Sequence, residues 1–144
     1  MTEQDPNLQR NAEATARLGD LVARLGSADL ERSLGGGWTV AFALVHLAFW
    51  DARQTAALAG YTSSQALPSP EDETVNPTLE AVAAMFDPAA AGPAAVEAAG
   101  AVDAAAAALS AEQRSTLREA GQEYAFRRWP HREEHIAQIE AALP

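Results

Sequence analysis

Residues 129–143, Trp-Pro-His-Arg-Glu-Glu-His-Ile-Ala-Gln-Ile-Glu-Ala-Ala-Leu, restrict the end of this chain to helix. Pro130 suits a first helical turn, where its missing N–H has no intrahelical partner and its φ is already helical. Good helix formers follow, so His135, Ile136, Ile139 and Leu143 fall on one core-facing stripe. His131 and His135 lie one turn apart on one face. Two imidazoles at i and i+4 can converge on a cation, as they do on H-E-x-x-H helices.

The rest of the chain also reads as helix. A first helix begins near Pro6 or Asn7, after a frayed start, and runs to Gly26, with Leu18, Leu21, Val22 and Leu25 on its buried face. Residues 27–34 add a turn, and Gly35-Gly-Gly37 breaks it. Thr39 then caps a second helix, with Trp38 stapling its start, that continues to Leu58 or Ala59 and stops at Gly60. His46 lies in its middle, with Phe49, Trp50 and Arg53 expected along the same stripe.

Residues 60–76, with Pro68, Pro70 and acidic Glu71, Asp72 and Glu73, read as a long loop, a lid or a crossover between distant helices. Asn76-Pro77 reads as a cap and first helical residue, opening a short helix to about Phe86. Gly92-Pro93 opens another to Leu109, with Gly100 tolerated inside it for close packing. Ser110-Ala-Glu-Gln113 has the pattern of a capping box. Residues 117–129 fit no single element, and Pro130 either starts the last helix or kinks one begun near Tyr124. No alternating pattern argues for a sheet, and no repeat is evident.

Length and composition exclude several classes. A chain of 144 residues suits one domain, 1–144, with a single core. With no cysteine there is no disulfide, thiolate site or cysteine nucleophile, and with all ten basic residues arginine there is no lysine for Schiff-base chemistry. A net charge of −10 opposes nucleic-acid binding. No signal peptide or apolar run of about 20 residues is seen, so the expectation is a soluble, cytoplasmic protein with no membrane partner.

His46 is the remaining histidine of three, so one site would use them all if the second and last helices are neighbours. Three nitrogen ligands with open positions describe a catalytic site, and imidazole suits zinc, nickel, iron or copper. The spacing also fits a solvated pair on the last helix and a packed core histidine on the second. Asp51 and Glu134 are candidate partners for the outer imidazole N–H groups, and Arg53 for an anionic substrate, although each also fits an ordinary helix charge. Trp38 and Trp50 read as packing residues.

Two segments resemble the DinB/YfiT-like superfamily. One is Gly37-Trp-Thr-Val40 leading into Leu44-Val-His-Leu-Ala-Phe-Trp-Asp51, similar to the family's "W-S/T, then H-L-x-x-W-D/E" segment. The other is His131-Arg-Glu-Glu-His135 followed by Ile136-Ala-Gln-Ile139, similar to its terminal H-x-x-x-H. The resemblance implies an all-α fold, a four-helix bundle with a long crossover connection, often a homodimer. It implies that His46, His131 and His135 bind zinc or nickel. It further implies a thiol S-transferase that activates a low-molecular-weight thiol, with a hydrolase as variant, or a non-catalytic, stress-related metal- or ligand-binding bundle. The second domain of the related maleylpyruvate isomerases is not seen.

Overall fold

The computed structural model describes residues 4–61, 67 and 72–144. Its order is α1 (Pro6–Arg24), α2 (Ser27–Leu30), β1 (Ser33–Gly35), β2 (Trp38–Thr39), α3 (Val40–Ala59), α4 (Asp72–Ala81), α5 (Pro88–Ala107), α6 (Ala111–Glu119) and α7 (Trp129–Ala142). Short 3₁₀ turns cover Ala83–Met85 and Glu123–Ala125. The chain is predominantly helical, and among the described residues no single helix is long and apolar enough to cross a membrane.

The four long helices α1, α3, α5 and α7 make the larger of two buried clusters; the second, with Leu58, Val102, Ala106, Leu117, Ala125 and Phe126, brings in α6 and the turn at 123–125, so the core is not the single one expected. Helix α3 packs along α5, α1 against α5 and α7, and α3 more briefly against α7. Leu18 and Leu21 of α1, Leu44 and Leu47 of α3, Ala95 and Ala99 of α5, and Ile136 and Ile139 of α7 meet in one buried cluster. Alanines on α5 bring its backbone close to its neighbours, and Gly92 takes this furthest. A Cβ there would stand 2.7 Å from Val22 Cγ1. Gly100 has no such role: it is exposed, and a Cβ there would meet nothing within 4 Å.

Side-chain pairings give the helix directions. Residues 45–49 of α3 flank 90–94 of α5, and 52–55 flank 97–101, so these neighbours run the same way. The chain between them must return the length of a 20-residue helix, about 30 Å. That explains the long connection after Gly60, of which residues 62–66 and 68–71 lie outside the described residues. Of residues 1–6, expected to fray, 1–3 lie outside the described residues, while Asp5 caps α1 and Pro6 begins it. The crossover joins packed neighbours rather than distant helices.

Several local expectations need correction. The stretch 72–76 is already helical, because α4 starts a turn before Asn76. Pro77 therefore sits inside α4, at the cost of one backbone hydrogen bond, and Asn76 is no cap. Helix α5 starts at Pro88, capped by Asp87 Oδ1 on the Ala89 N–H at 3.0 Å, so Pro93 is interior. Residues 33–39 form a small hairpin, with Ser33 opposite Thr39 and Gly35 opposite Trp38. Gly35, Gly36 and Gly37 make its turn at φ of 92°, 62° and 84°, a left-handed run that side chains resist.

The caps at Thr39 and Ser110 follow their sequence signals. Thr39 Oγ1 accepts the Phe42 N–H at 3.1 Å. Ser110 and Gln113 exchange both bonds of a capping box, at 3.0 and 2.9 Å. Helix α7 starts at Trp129 with Pro130 in its first turn, and no helix leads into it from Tyr124. Its own N-cap, Arg128, has no capping side chain. Asn11 of α1 does this from across the core, its Oδ1 accepting the N–H groups of Arg128 and Trp129 at 2.9 and 3.0 Å.

Candidate metal centre

Helices α3 and α7 run antiparallel where they meet, His46 facing His131 and His135, and Asp51 facing Arg128 and Arg132. The three imidazoles form a nearly equilateral triangle, with ring centroids 4.9 Å (His46–His131), 4.8 Å (His46–His135) and 4.8 Å (His131–His135) apart. One ligand atom from each lies within 4.8 Å of the others, and these three histidines are close enough to hold a metal ion. His46 and His135 are buried and His131 is half-buried.

Burial pushes the His131 imidazole down to about 3, and repulsion from His135, His46, Arg128 and Arg132 acts in the same direction. The ring is neutral at pH 7, the form that ligates a metal.

The hydrogen bonds around the rings decide which nitrogens face inward. Trp50 Nε1, which only donates, reaches Asn76 Oδ1 at 3.3 Å and so identifies that atom as an acceptor. The same oxygen lies 3.1 Å from His46 Nδ1, which therefore carries the proton. His46 Nε2 is left with its lone pair, 2.9 Å from His131 Nε2. On the other side, Gln138 Oε1 lies 2.7 Å from His135 Nδ1 and again leaves Nε2 for the centre.

Two Nε2 atoms on one tetrahedral ion at normal bond lengths stand about 3.3 Å apart. The 2.9 Å between His46 and His131 needs to open by only a few tenths of an ångström. The donor set, the spacing and the tautomers of His46 and His135 fit a divalent ion of the kind imidazole prefers, and His131 gives up the Nε2 proton of the 2.9 Å contact to join them.

The polar residues around the triangle differ from those expected. Asp51 does not reach His46. It is buried with Oδ1 2.9 Å from Arg128 Nε and Oδ2 3.0 Å from Arg132 Nε. Asn76, from the α3–α5 connection, holds His46 instead. Glu134 lines the cavity beside the imidazoles, but no hydrogen bond joins it to His131 among the described residues. Arg53 is half-buried and outside the cavity lining.

Helical geometry explains the last point. From His46, Trp50 and Gln54 are turned by about 40° and 80°, while Arg53 is turned about 20° the opposite way and Phe49 about 60°. The cavity opens on the Trp50 and Gln54 side, and Phe49 faces a separate apolar cavity towards α5.

That main cavity has a volume of about 620 Å³. Trp38, delivered by the hairpin, closes one side, its ring 4.9 Å from His46 and 6.1 Å from His135. Its Nε1 donates to Glu80 Oε1 at 3.0 Å. Trp38 and Trp50 are thus walls of the site as well as packing residues. Sequence reasoning missed Asn76, Gln54, Tyr124 and Arg128 among the lining residues. Only Gln54 carried a signal, the 46-50-54 spacing at successive i+4 steps.

Comparison of the chain with protein-family models, with curated proteins and with solved structures finds no match in any of the three.

Proposed function

We propose that this chain is a metal-dependent enzyme of the DinB-like type, a thiol S-transferase whose His46, His131 and His135 hold zinc or nickel. The observation that carries the reading is the imidazole triangle, within 4.8 Å between ligand atoms, on the wall of a cavity large enough for a small molecule. The likeness of residues 37–51 and 131–139 to DinB/YfiT-like segments supports it, as does the pairing of four long helices with a long crossover, read here as that family's four-helix bundle.

A divalent ion bound there lowers the pKa of a thiol or water that it coordinates. The chain's own residues supply the rest. Asn76 and Gln138 orient two imidazoles, Trp38 and Trp50 exclude water, and Glu134 is the cavity carboxylate available to accept the thiol proton. In this reading the substrate is a small molecule, the protein acts in the cytoplasm, and it works as a homodimer.

The test is metal content by plasma mass spectrometry on untagged wild type beside His46→Ala and His135→Ala. Near one equivalent of zinc or nickel, lost in both variants with folding intact, supports the reading and justifies assays with thiols and electrophiles. No metal after attempted reloading overturns it.

A second reading, a non-catalytic metal- or ligand-binding bundle, is favoured by one observation. The 2.9 Å contact lets His46 and His131 satisfy one another without an ion. Metal-loaded protein that binds thiols and turns none over would decide for it.

A further inference from the structure

We propose that the end of the same cavity away from the histidines is a subsite for a carboxylate of the substrate, held between Gln54 Nε2 and Arg128 Nη2. The inference rests on the cavity being a substrate site and adds the class of group the substrate carries away from its reacting end.

Gln54 is 1% and Arg128 6% exposed, and both line the cavity. Arg128 is fixed by Nε on Asp51 Oδ1 and Nη1 on the Tyr124 carbonyl, both at 2.9 Å, which leaves Nη2 unspent. Gln54 follows Asp51 by one turn of α3 and so stands beside the carboxylate that holds Arg128. Of the Gln54 amide atoms, Oε1 is sealed and unpartnered; Nε2, also without a partner among the described residues, is the one left open. Native structures rarely keep a buried polar group unspent without a use. The position gives the ligand a length, because His46 and Gln54 lie about 12 Å apart along the α3 axis. Trp50 spends its only donor on Asn76 and offers the stretch between them an apolar ring.

Nε2 and Nη2 each carry a pair of N–H groups, and together they match the roughly four lone-pair sites of a carboxylate, where a carbonyl offers about two. A neutral amide would also bring an N–H that the sealed Oε1 cannot receive. Charge selects in the same direction. Asp51 lies buried behind the guanidinium, so the ion pair turns its positive end to the cavity, attracting a carboxylate and repelling an ammonium. Glu134 is the opposing charge in the lining. It is exposed and stands six residues on from Arg128, about 9 Å further along α7 towards the histidine end. At that separation, in about 0.15 M salt, its repulsion of a carboxylate beside Gln54 is largely screened. A cation is drawn to Glu134, away from the Gln54 end.

The test titrates zinc-loaded protein by calorimetry with ω-mercaptooctanoate and ω-mercaptooctanol, which differ at the far end only. The acid should bind about tenfold tighter than the alcohol, and Gln54→Leu should remove most of that preference while leaving the alcohol unchanged. Equal affinities in the wild type, a preference kept by the variant, or equal weakening of both thiols overturns the subsite. Gln54→Glu, of the same size, covers a leucine variant that fails to fold. Its like charge should turn the preference towards the alcohol, and a retained preference for the acid overturns the subsite as well.

A second arm separates this from failure of the metal reading. Metal-free protein is titrated with octanoate and with octanamide, which lack the thiol, while the Gln54 side-chain amide and the Arg128 Nε–H are followed by ¹⁵N NMR. A saturable shift with octanoate and none with octanamide supports the subsite even where no zinc binds. No octanoate shift in a protein that does bind zinc and thiols overturns the subsite alone; no shift with no zinc binding overturns both.

Discussion

Asp51 Oδ2 accepts the Arg132 Nε–H at 3.0 Å, with the arginine 0% and the aspartate 1% exposed. Asp51 Oδ1 takes Arg128, and Arg132 reaches on to Asp103 Oδ1 at 2.8 Å, so two guanidiniums and two carboxylates balance inside the protein. The network anchors α7 with Arg132 turned into the core and with Arg128 on the cavity face that also carries His131 and His135. Removing one member of a buried pair leaves an uncompensated charge, at about 3–5 kcal/mol. Asp51→Ala is expected to lower the urea-unfolding free energy by that amount. Asp103→Asn, at the more accessible end, is expected to cost less and to fold. Equal losses under about 1 kcal/mol in both would mean that solvent already screens the network.

Asn76 orients His46 from outside the triangle, and such outer partners are worth about 10–100-fold in metal affinity. Asn76→Leu should weaken zinc binding within that range, measured by chelator competition. Asn76→Asp keeps an acceptor for both His46 and Trp50 and should recover most of the loss. Equal affinities in all three proteins would show that the His46 tautomer is set by something else.

What could be read from the sequence was the local part. Helix periods, the Thr39 cap and the Ser110 capping box depend on residues within a turn of each other, and so does the His131–His135 pairing. The hairpin was missed because strands of three and two residues are too short to show alternation. Asp87-Pro88 carried the same helix-start signal as Asn76-Pro77, and the later Gly92-Pro93 obscured it. Arg132 looked like a surface charge between His131 and Glu133; its burial depends on Asp51 and Asp103, 81 and 29 residues away. The same holds for the Asn11 cap on α7 and for Asn76 on His46, which only tertiary packing brings together.

Two glycines of α5 should respond to alanine in opposite ways. At Gly92 a Cβ would stand 2.7 Å from Val22 Cγ1, and a β-branched side chain has little freedom to yield. Gly92→Ala should therefore destabilise by about 1–3 kcal/mol through overpacking. At exposed Gly100 nothing lies within 4 Å, so Gly100→Ala should stabilise by about 0.4–1 kcal/mol by restricting the unfolded chain. Paired thermal or urea melts check both signs, and a stabilising Gly92→Ala would show that α1 and α5 have slack between them.

Asp5 caps α1, its Oδ1 on the Asn7 N–H at 3.0 Å and its Oδ2 2.9 Å from Arg118 and 3.5 Å from Arg114. Burial alone would raise its pKa, but the Asn7 bond and the two arginines outweigh that and hold the carboxyl below its usual value of 3.8. A carboxylate whose folded pKa is depressed contributes stability above its unfolded pKa and loses it as pH falls through the folded value. Asp5→Asn keeps the capping oxygen and removes the charge. Its cost should therefore be present at pH 7, modest because Arg118 is partly exposed, and should shrink steadily below pH 3.8. Urea midpoints of both proteins across that range test this. A difference that stays constant into strong acid would place the stabilisation in the cap alone and leave the two arginines without a part in it.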